Sequence, residues 1–220
     1  MVLNAFLFVF MTGAVCAAFL LSGPASGLGE FVRAIYFHIG CAMATVAAFL
    51  TSCVYSAGVL RGGGDASDIR AESAARLGLV FCVLATVTGS ALAKNTWGSY
   101  WNWDPRETSI VALMLIYMAY FALRAAIEDP DKRARLSAAY AILAFFTVPF
   151  LVFIAPRVTE GLHPSPIIPT KRQESGMDSE MRLILMFTGV AFILLFARLQ
   201  TLSVRLQTLI LKNKEEEDSL

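Results

Sequence analysis

The chain has 220 residues, 57% of them hydrophobic, and a mean hydropathy of +0.63. These values are typical of an integral membrane protein and exclude an ordinary soluble domain. The formal net charge is only +1, so charge gives no support for a nucleic-acid partner. The four cysteines form no C-x-x-C motif, and we expect them to be buried apolar residues rather than a disulfide framework.

Six segments are long and apolar enough to cross a bilayer, since a span needs about 20 mostly apolar residues. They cover approximately residues 2–21, 31–60, 76–93, 107–127, 137–154 and 181–202. We therefore predict an all-α, polytopic membrane protein with one domain, residues 1–220, that ends in a charged cytoplasmic tail, residues 203–220. The first segment has no basic residues before it and no clear cleavage site after it, which favours a retained span over a removed signal peptide. Pro149 is expected to kink the fifth span.

The lysines and arginines are distributed unequally between the two sides of these spans. Eleven of the 18 fall on the side that holds both termini, and seven fall on the other side. The positive-inside rule therefore predicts cytoplasmic termini, with the tryptophan tract facing the periplasm or the cell exterior. Whatever the orientation, His38, the tract Trp97–Asp104 and His163 belong to the same face of the membrane.

All three tryptophans lie in one short tract, Trp-Gly-Ser-Tyr-Trp-Asn-Trp-Asp, which connects the third and fourth spans. One interpretation is an interfacial aromatic belt. The other is a cover for a flat, apolar ligand. Trp97, Tyr100 and Trp101 have i, i+3, i+4 spacing, so a short surface helix would place them on one face, while Trp103 would point elsewhere. Gly98 permits a neighbouring segment or a ligand to approach closely. The i, i+3, i+4 spacing favours the ligand cover over the aromatic belt.

Asp104 begins a pattern that is typical of a helix start. Asp104 is the expected N-cap, Pro105 the first helical residue and Glu107 the N3 partner of a capping box. A role for Asp104 in proton transfer has no support in the sequence. The cap would fix the angle at which the Trp tract enters the fourth span.

The chain has only two histidines. His38 lies eight residues after Glu30, roughly 12 Å along a helix and so near the outer interface, where it either serves a function or bonds a neighbouring helix. His163 lies in a loop stiffened by Pro164, Pro166 and Pro169, and is otherwise an ordinary exposed histidine. Together the two imidazoles suggest an axial pair for one haem iron.

Three arginines are predicted on the same outer side: Arg33, Arg106 and Arg157. Arginine binds carboxylates through two parallel hydrogen bonds, so these residues are candidates for the haem propionates. The alternative for each is an ordinary contact with lipid headgroups.

The sequence resembles the haem-handling, WWD-domain family of cytochrome c maturation, and in particular its haem exporter protein C (CcmC) branch. The resemblance rests on the signature Trp97-Gly98-x-x-Trp101-x-Trp103-Asp104, on His38 and on His163, and it covers essentially the whole chain. It implies that haem b is held as cargo at the periplasmic face of the bacterial inner membrane, by a protein that is not an enzyme. It also implies handover to the haem chaperone CcmE, with CcmA, CcmB and CcmD in an ABC-type release complex. The implied iron ligands are His38 and His163, and the implied binding residues are Trp97, Gly98, Tyr100, Trp101, Trp103, Asp104, Arg33, Arg106 and Arg157.

Three other functions remain open from the sequence. The run from Trp97 to Thr108 is closer to the CcsA component of cytochrome c synthases, although members of that branch are usually larger and carry additional histidines in their spans. A cytochrome b-like quinol oxidoreductase anchor would also use paired histidines, normally facing each other inside the bundle. A solute transporter with an aromatic gate would bind no pigment.

Overall fold

The computed structural model describes residues 2–24, 28–163 and 178–218, and all regular structure in this part of the chain is helical. Helices are expected here because a backbone inside a bilayer must satisfy its own hydrogen bonds. The principal helices are α1 (Val2–Cys16), α2 (Arg33–Leu60), α3 (Gly64–Trp97), α4 (Pro105–Ala126), α5 (Pro130–Pro149), α6 (Ala155–Val158) and α7 (Ser179–Asp218). Short 3-10 or π-helical turns adjoin three of them: Ala17–Leu21, Glu30–Val32 and Phe150–Ile154.

Among the described residues, six helical segments are long and apolar enough to cross a membrane, which confirms the prediction of six spans. They are Leu3–Leu21, Glu30–Leu60, Gly64–Trp97, Pro105–Ala126, Pro130–Val158 and Ser179–Lys214. The fifth segment changes its helical register immediately after Pro149, where a π-helical turn replaces the α-helix. Residues 203–218 of the predicted tail continue α7 as a helix.

Helix α2 is the centre of the bundle and packs against α3, α5 and α7. Small residues at intervals of four line its buried face: Gly40, Ala44, Ala48, Ser52 and Ser56. These residues let neighbouring helices approach closely, as is common where helices associate in membranes. At Gly40 the approach is so close that a Cβ atom would lie 2.7 Å from the ring of Phe192.

Helix α3 begins at Gly64, twelve residues before the predicted start of the third span. The extension is held by Arg124 of α4, which is only 8% exposed. Its guanidinium donates to both oxygens of Asp68, each at 2.8 Å, and to Glu72 at 3.0 Å. Hydropathy could not reveal this extension, because its helical structure depends on ion pairs between distant parts of the chain rather than on apolar character.

We expect Arg124→Ala to lower the free energy of unfolding by about 2 kcal/mol, because it leaves the partly buried Asp68 without its cation, whereas Glu72 keeps its ion pair with Arg76. Thermal or denaturant unfolding of the detergent-purified protein measures the effect. The exposed Arg61, at the same end of the bundle, supplies the control Arg61→Ala. Equal stability of the two variants would contradict this account of the α3 extension.

Candidate ligand-binding site at the Trp-rich loop

The tract after Trp97 is a loop, as its place between two spans predicts, rather than the short surface helix that the spacing of its aromatic residues would also allow. Gly98 adopts the left-handed conformation, with φ +82°, and ends α3 there. Its N–H donates to the carbonyl of Lys94, while the Lys94 ammonium donates to the carbonyl of Gly98 at 2.8 Å. Glycine has no Cβ penalty in this conformation, so this position stops the helix.

Side chains rather than helical carbonyls satisfy the backbone of this loop. The N–H of Asn102 donates to Glu107 Oε2 at 2.7 Å, and the N–H of Asp104 donates to the same oxygen at 3.3 Å. Ser99 Oγ donates to the carbonyl of Trp101 at 2.9 Å. Trp103 has a φ of +56°, an uncommon conformation for a bulky residue, and it turns the chain into the start of α4.

The four aromatic rings of the loop differ in their exposure. Trp97 and Trp101 are half-buried, whereas Tyr100 is 63% and Trp103 is 78% exposed. The Trp97 ring meets the His163 ring at 4.8 Å between centroids and 67° between planes. Trp101 and Trp103 meet edge to face at 5.8 Å. The loop therefore presents a broad, largely uncovered aromatic surface beside one histidine.

Asp104 caps α4, and the capping box with Glu107 is confirmed. Its Oδ1 accepts from the N–H of Arg106 at 2.9 Å, and its Oδ2 accepts from the N–H of Leu162 at 2.7 Å. Burial alone would raise the pKa of the Asp104 carboxyl, because it disfavours the charged form. However, the N–H of Arg106, the nearby His163 and the N–H of Leu162 together hold its pKa below the ordinary value. Asp104 is therefore a buried carboxylate that joins the start of α4 to the segment after α6.

His163 is the last described residue before the gap at residues 164–177, so Pro164, Pro166 and Pro169 lie outside the described part. Its Nδ1 lies 2.6 Å from Asp104 Oδ1, at ion-pair distance but without the angle of a well-formed hydrogen bond. Burial lowers the pKa of His163, and Asp104 only partly offsets that effect. The lowered pKa favours the neutral imidazole, which is the form that binds metals.

His38 is fixed between two packed helices. Its Nδ1 lies 2.9 Å from the carbonyl oxygen of Ala85 on α3. A carbonyl can only accept, so Nδ1 carries the proton and Nε2 is left as the bare nitrogen. The ring lies against Gly89, where a Cβ atom would come within 2.8 Å of His38 Cε1.

The structure brings the two histidines to the same end of the bundle. His38 lies within the electrostatic influence of both His163 and Arg106. Arg106 in turn lies within the influence of Asp104 and Arg157. These residues come from α2, from the start of α4 and from the segment around α6, and the sequence separates the two histidines by more than half of the chain.

The three arginines occupy different surroundings. Arg106 is close to both histidines, as described above. Arg157 is exposed and donates to the carbonyl of Phe153 at 2.6 Å. Arg33 pairs with Glu30 and donates to the carbonyl of Ser22 at 3.4 Å, in the connection between α1 and α2.

Sequence reasoning missed several residues that shape this region. Gly89 and the carbonyl of Ala85 position His38, and Gly161 gives the loop its close approach to Asp104. No local pattern could identify them, because each acts through a contact between segments far apart in the sequence. Glu107 was predicted as a capping residue, but its additional bond to Asn102 was not.

Comparison with known proteins agrees with this arrangement. The family model described as Heme exporter protein C (CcmC) matches residues 1–219. The chain belongs to the Heme exporter protein C family. The resemblance read from the Trp tract and the two histidines is thereby confirmed.

Relatives that carry the name Heme exporter protein C support the same assignment. The Rhodobacter capsulatus protein is 30% identical over 197 residues, which are 87% of this chain and 81% of the relative. The Bradyrhizobium diazoefficiens protein is 29% identical over 177 residues, or 80% of this chain and 66% of the relative, so the chain spans about two thirds of that protein's length. The Escherichia coli K12 protein is 26% identical over 186 residues, which are 84% of this chain and 74% of the relative.

We expect Gly161→Ala to detach the loop from Asp104, because its Cβ would lie 2.6 Å from Asp104 Oδ2 and 3.1 Å from Pro105 Cδ. Losing the buried bond to the Leu162 N–H should speed amide exchange in residues 155–163 about tenfold. Hydrogen-exchange mass spectrometry in detergent measures this rate. The control is Gly23→Ala, where a Cβ atom meets open space. Unchanged exchange in Gly161→Ala would show that the contact does not hold the loop.

Proposed function

We propose that this protein binds haem b as cargo at the periplasmic face of the bacterial inner membrane and presents it to a haem chaperone during the maturation of c-type cytochromes. Membership of the Heme exporter protein C family supports a role in haem handling. In this proposal both termini are cytoplasmic, and the protein transfers haem without catalysing a reaction on it.

The proposal is carried by the convergence of the chain's two histidines with its tryptophan loop. His38 engages the protein through Nδ1 and keeps Nε2 free, and His163 also turns Nδ1 toward the protein. Trp97 contacts the ring of His163 directly. Two nitrogen ligands and a broad aromatic surface at the same end of the bundle match a flat metalloporphyrin better than a hydrophilic solute.

The other site residues have roles that follow from their chemistry. Trp101, Trp103 and Tyr100 would pack on or beside the porphyrin, and Gly98 would leave room for its edge. Arg106 is the strongest candidate for the propionates because it lies near both histidines, and Arg157 is the second. Arg33 would have to break its ion pair with Glu30 before it could bind a propionate.

Two imidazole ligands would saturate the iron, because the porphyrin nitrogens occupy its remaining positions. This would suppress reactions with dioxygen and keep the haem intact until handover. Release would then require the loss of one axial bond when a chaperone docks on the exposed rings of Tyr100 and Trp103. The partners in this proposal are CcmE as chaperone and CcmA, CcmB and CcmD as subunits of the release complex.

The position of His163 favours a carrier over a cytochrome b-like redox anchor. His163 lies in a loop beyond α6, whereas redox anchors pair histidines on facing helices. A CcsA-type synthase component would be expected to have further histidines, and this chain has two.

We expect His38→Ala and His163→Ala each to reduce the haem content of the purified protein and to weaken the low-spin spectrum of two-imidazole iron. Visible absorption and pyridine haemochrome assay after expression in haem-sufficient cells measure both properties. Added imidazole should partly restore the low-spin spectrum, because it replaces the missing ligand. Parent-like spectra and occupancy in both variants would refute the proposal, and a colourless parent protein would favour the transporter.

A second variant tests the position of His38 without removing it. Gly89→Ala places a methyl group 2.8 Å from His38 Cε1, so the ring must shift from its bond to Ala85. We expect haem occupancy to fall severalfold while the fold is retained, as judged by circular dichroism and gel filtration. Gly23→Ala is the matched control and should bind haem like the parent. Equal occupancy in the two variants would show that the observed orientation of His38 is not required.

A further inference from the structure

The side chain of Asp104 is unavailable to a ligand, although it belongs to the signature tract. Its side chain is only 1% exposed. Oδ2 accepts from the Leu162 N–H, and Oδ1 accepts from the Arg106 N–H and also faces His163 Nδ1. Both oxygens are thus occupied within the protein, so direct contact with haem is not the role that this geometry supports.

We propose that Asp104 is a positioning residue for His163: its carboxylate fixes the orientation and tautomer of the imidazole so that Nε2 is presented to the haem iron. This inference rests on the proposed function, because it assumes that His163 is an iron ligand.

The orientation follows from the two contacts of the imidazole ring. Asp104 Oδ1 lies 2.6 Å from Nδ1, and the Trp97 ring lies at 4.8 Å from the imidazole at an angle of 67°. A histidine that binds iron through Nε2 carries its proton on Nδ1, and the carboxylate beside Nδ1 can only accept. Because Nδ1 lies beside Asp104 and the ring lies against Trp97, the imidazole has little freedom to turn Nε2 away.

The carboxylate should also make His163 a stronger electron donor. A histidine ligand whose second nitrogen faces a carboxylate is more basic toward the metal, and loss of such a partner typically lowers metal affinity about 10- to 100-fold. Stronger donation stabilises ferric more than ferrous iron. Asp104 would therefore lower the reduction potential of the bound haem.

Helix capping alone does not explain the arrangement. A cap needs one oxygen, and serine or asparagine caps a helix about as well as aspartate. Here the second oxygen holds the Leu162 N–H, and the first also faces His163. Gly161 permits the approach, because any larger residue would collide with Asp104 Oδ2. The same carboxylate therefore caps α4 and holds the histidine segment.

The test uses the full-length protein in detergent with two substitutions that keep the cap. Asp104→Ser caps α4 but cannot reach His163, and Asp104→Asn keeps the shape of the side chain but removes its charge. Glu160→Gln is the matched control, because it neutralises an exposed carboxylate in the same segment as His163. The readouts are haem occupancy, the electron paramagnetic resonance spectrum of ferric haem, the reduction potential and the unfolding temperature of the haem-free protein.

We expect Asp104→Ser to lower haem affinity about tenfold, with added imidazole restoring the low-spin spectrum and with a lower unfolding temperature, because the Leu162 N–H loses its acceptor. Asp104→Asn should keep the low-spin spectrum but shift the reduction potential to more positive values. Glu160→Gln should resemble the parent in all four measurements.

Two negative results have different meanings. If both Asp104 variants match the parent while His163→Ala loses its ligand, the positioning role is refuted and the proposed function stands. If His38→Ala and His163→Ala also match the parent, the proposed function fails and this inference fails with it. If Asp104→Ser does not fold, an unchanged potential in the isosteric Asp104→Asn still refutes the role.

Discussion

The outer end of the molecule is organised around the buried carboxylate of Asp104. A charge removed from water is tolerated only when donors surround it, and here the N–H groups of Arg106 and Leu162 supply them from two separate segments. This single group therefore sets the start of α4, the exit of the tryptophan loop and the place of His163. None of these three elements could move far without leaving the charge unsatisfied.

The bundle beneath supplies a rigid base for this arrangement. Small residues along α2 allow α3 and α7 to pack closely, and Phe49 stacks on Tyr117 at 3.4 Å between ring centroids. His38 belongs to this base, since it lies between α2 and α3 and bonds a backbone carbonyl. At the opposite end, Arg124 joins α3 to α4 through Asp68 and Glu72. The ion pairs of the described residues thus lie near the two ends of the helices, where water lowers their cost.

Local chemistry made some features predictable from the sequence. The six spans follow from hydropathy, and the capping box from the order Asp104, Pro105 and Glu107. The sequence left both a loop and a surface helix open for the tryptophan tract, because i, i+3, i+4 spacing describes side chains on a helix but cannot show that the helix continues past Gly98. The contact of His38 with the Ala85 carbonyl and the hydrogen bond from the Leu162 N–H to Asp104 join distant segments. No local sequence pattern could therefore predict them.

The two histidines differ in mechanical stiffness. His38 is anchored to a backbone carbonyl between two long, closely packed helices, so its ring has little room to move. His163 is held by one side chain and one aromatic contact, in a segment that follows the four-residue helix α6. In the proposed function, haem bound between them would have one rigid ligand, His38, and one more mobile ligand, His163. The haem would lose its bond to His163 before its bond to His38, and it would therefore leave the protein on the side of the loop.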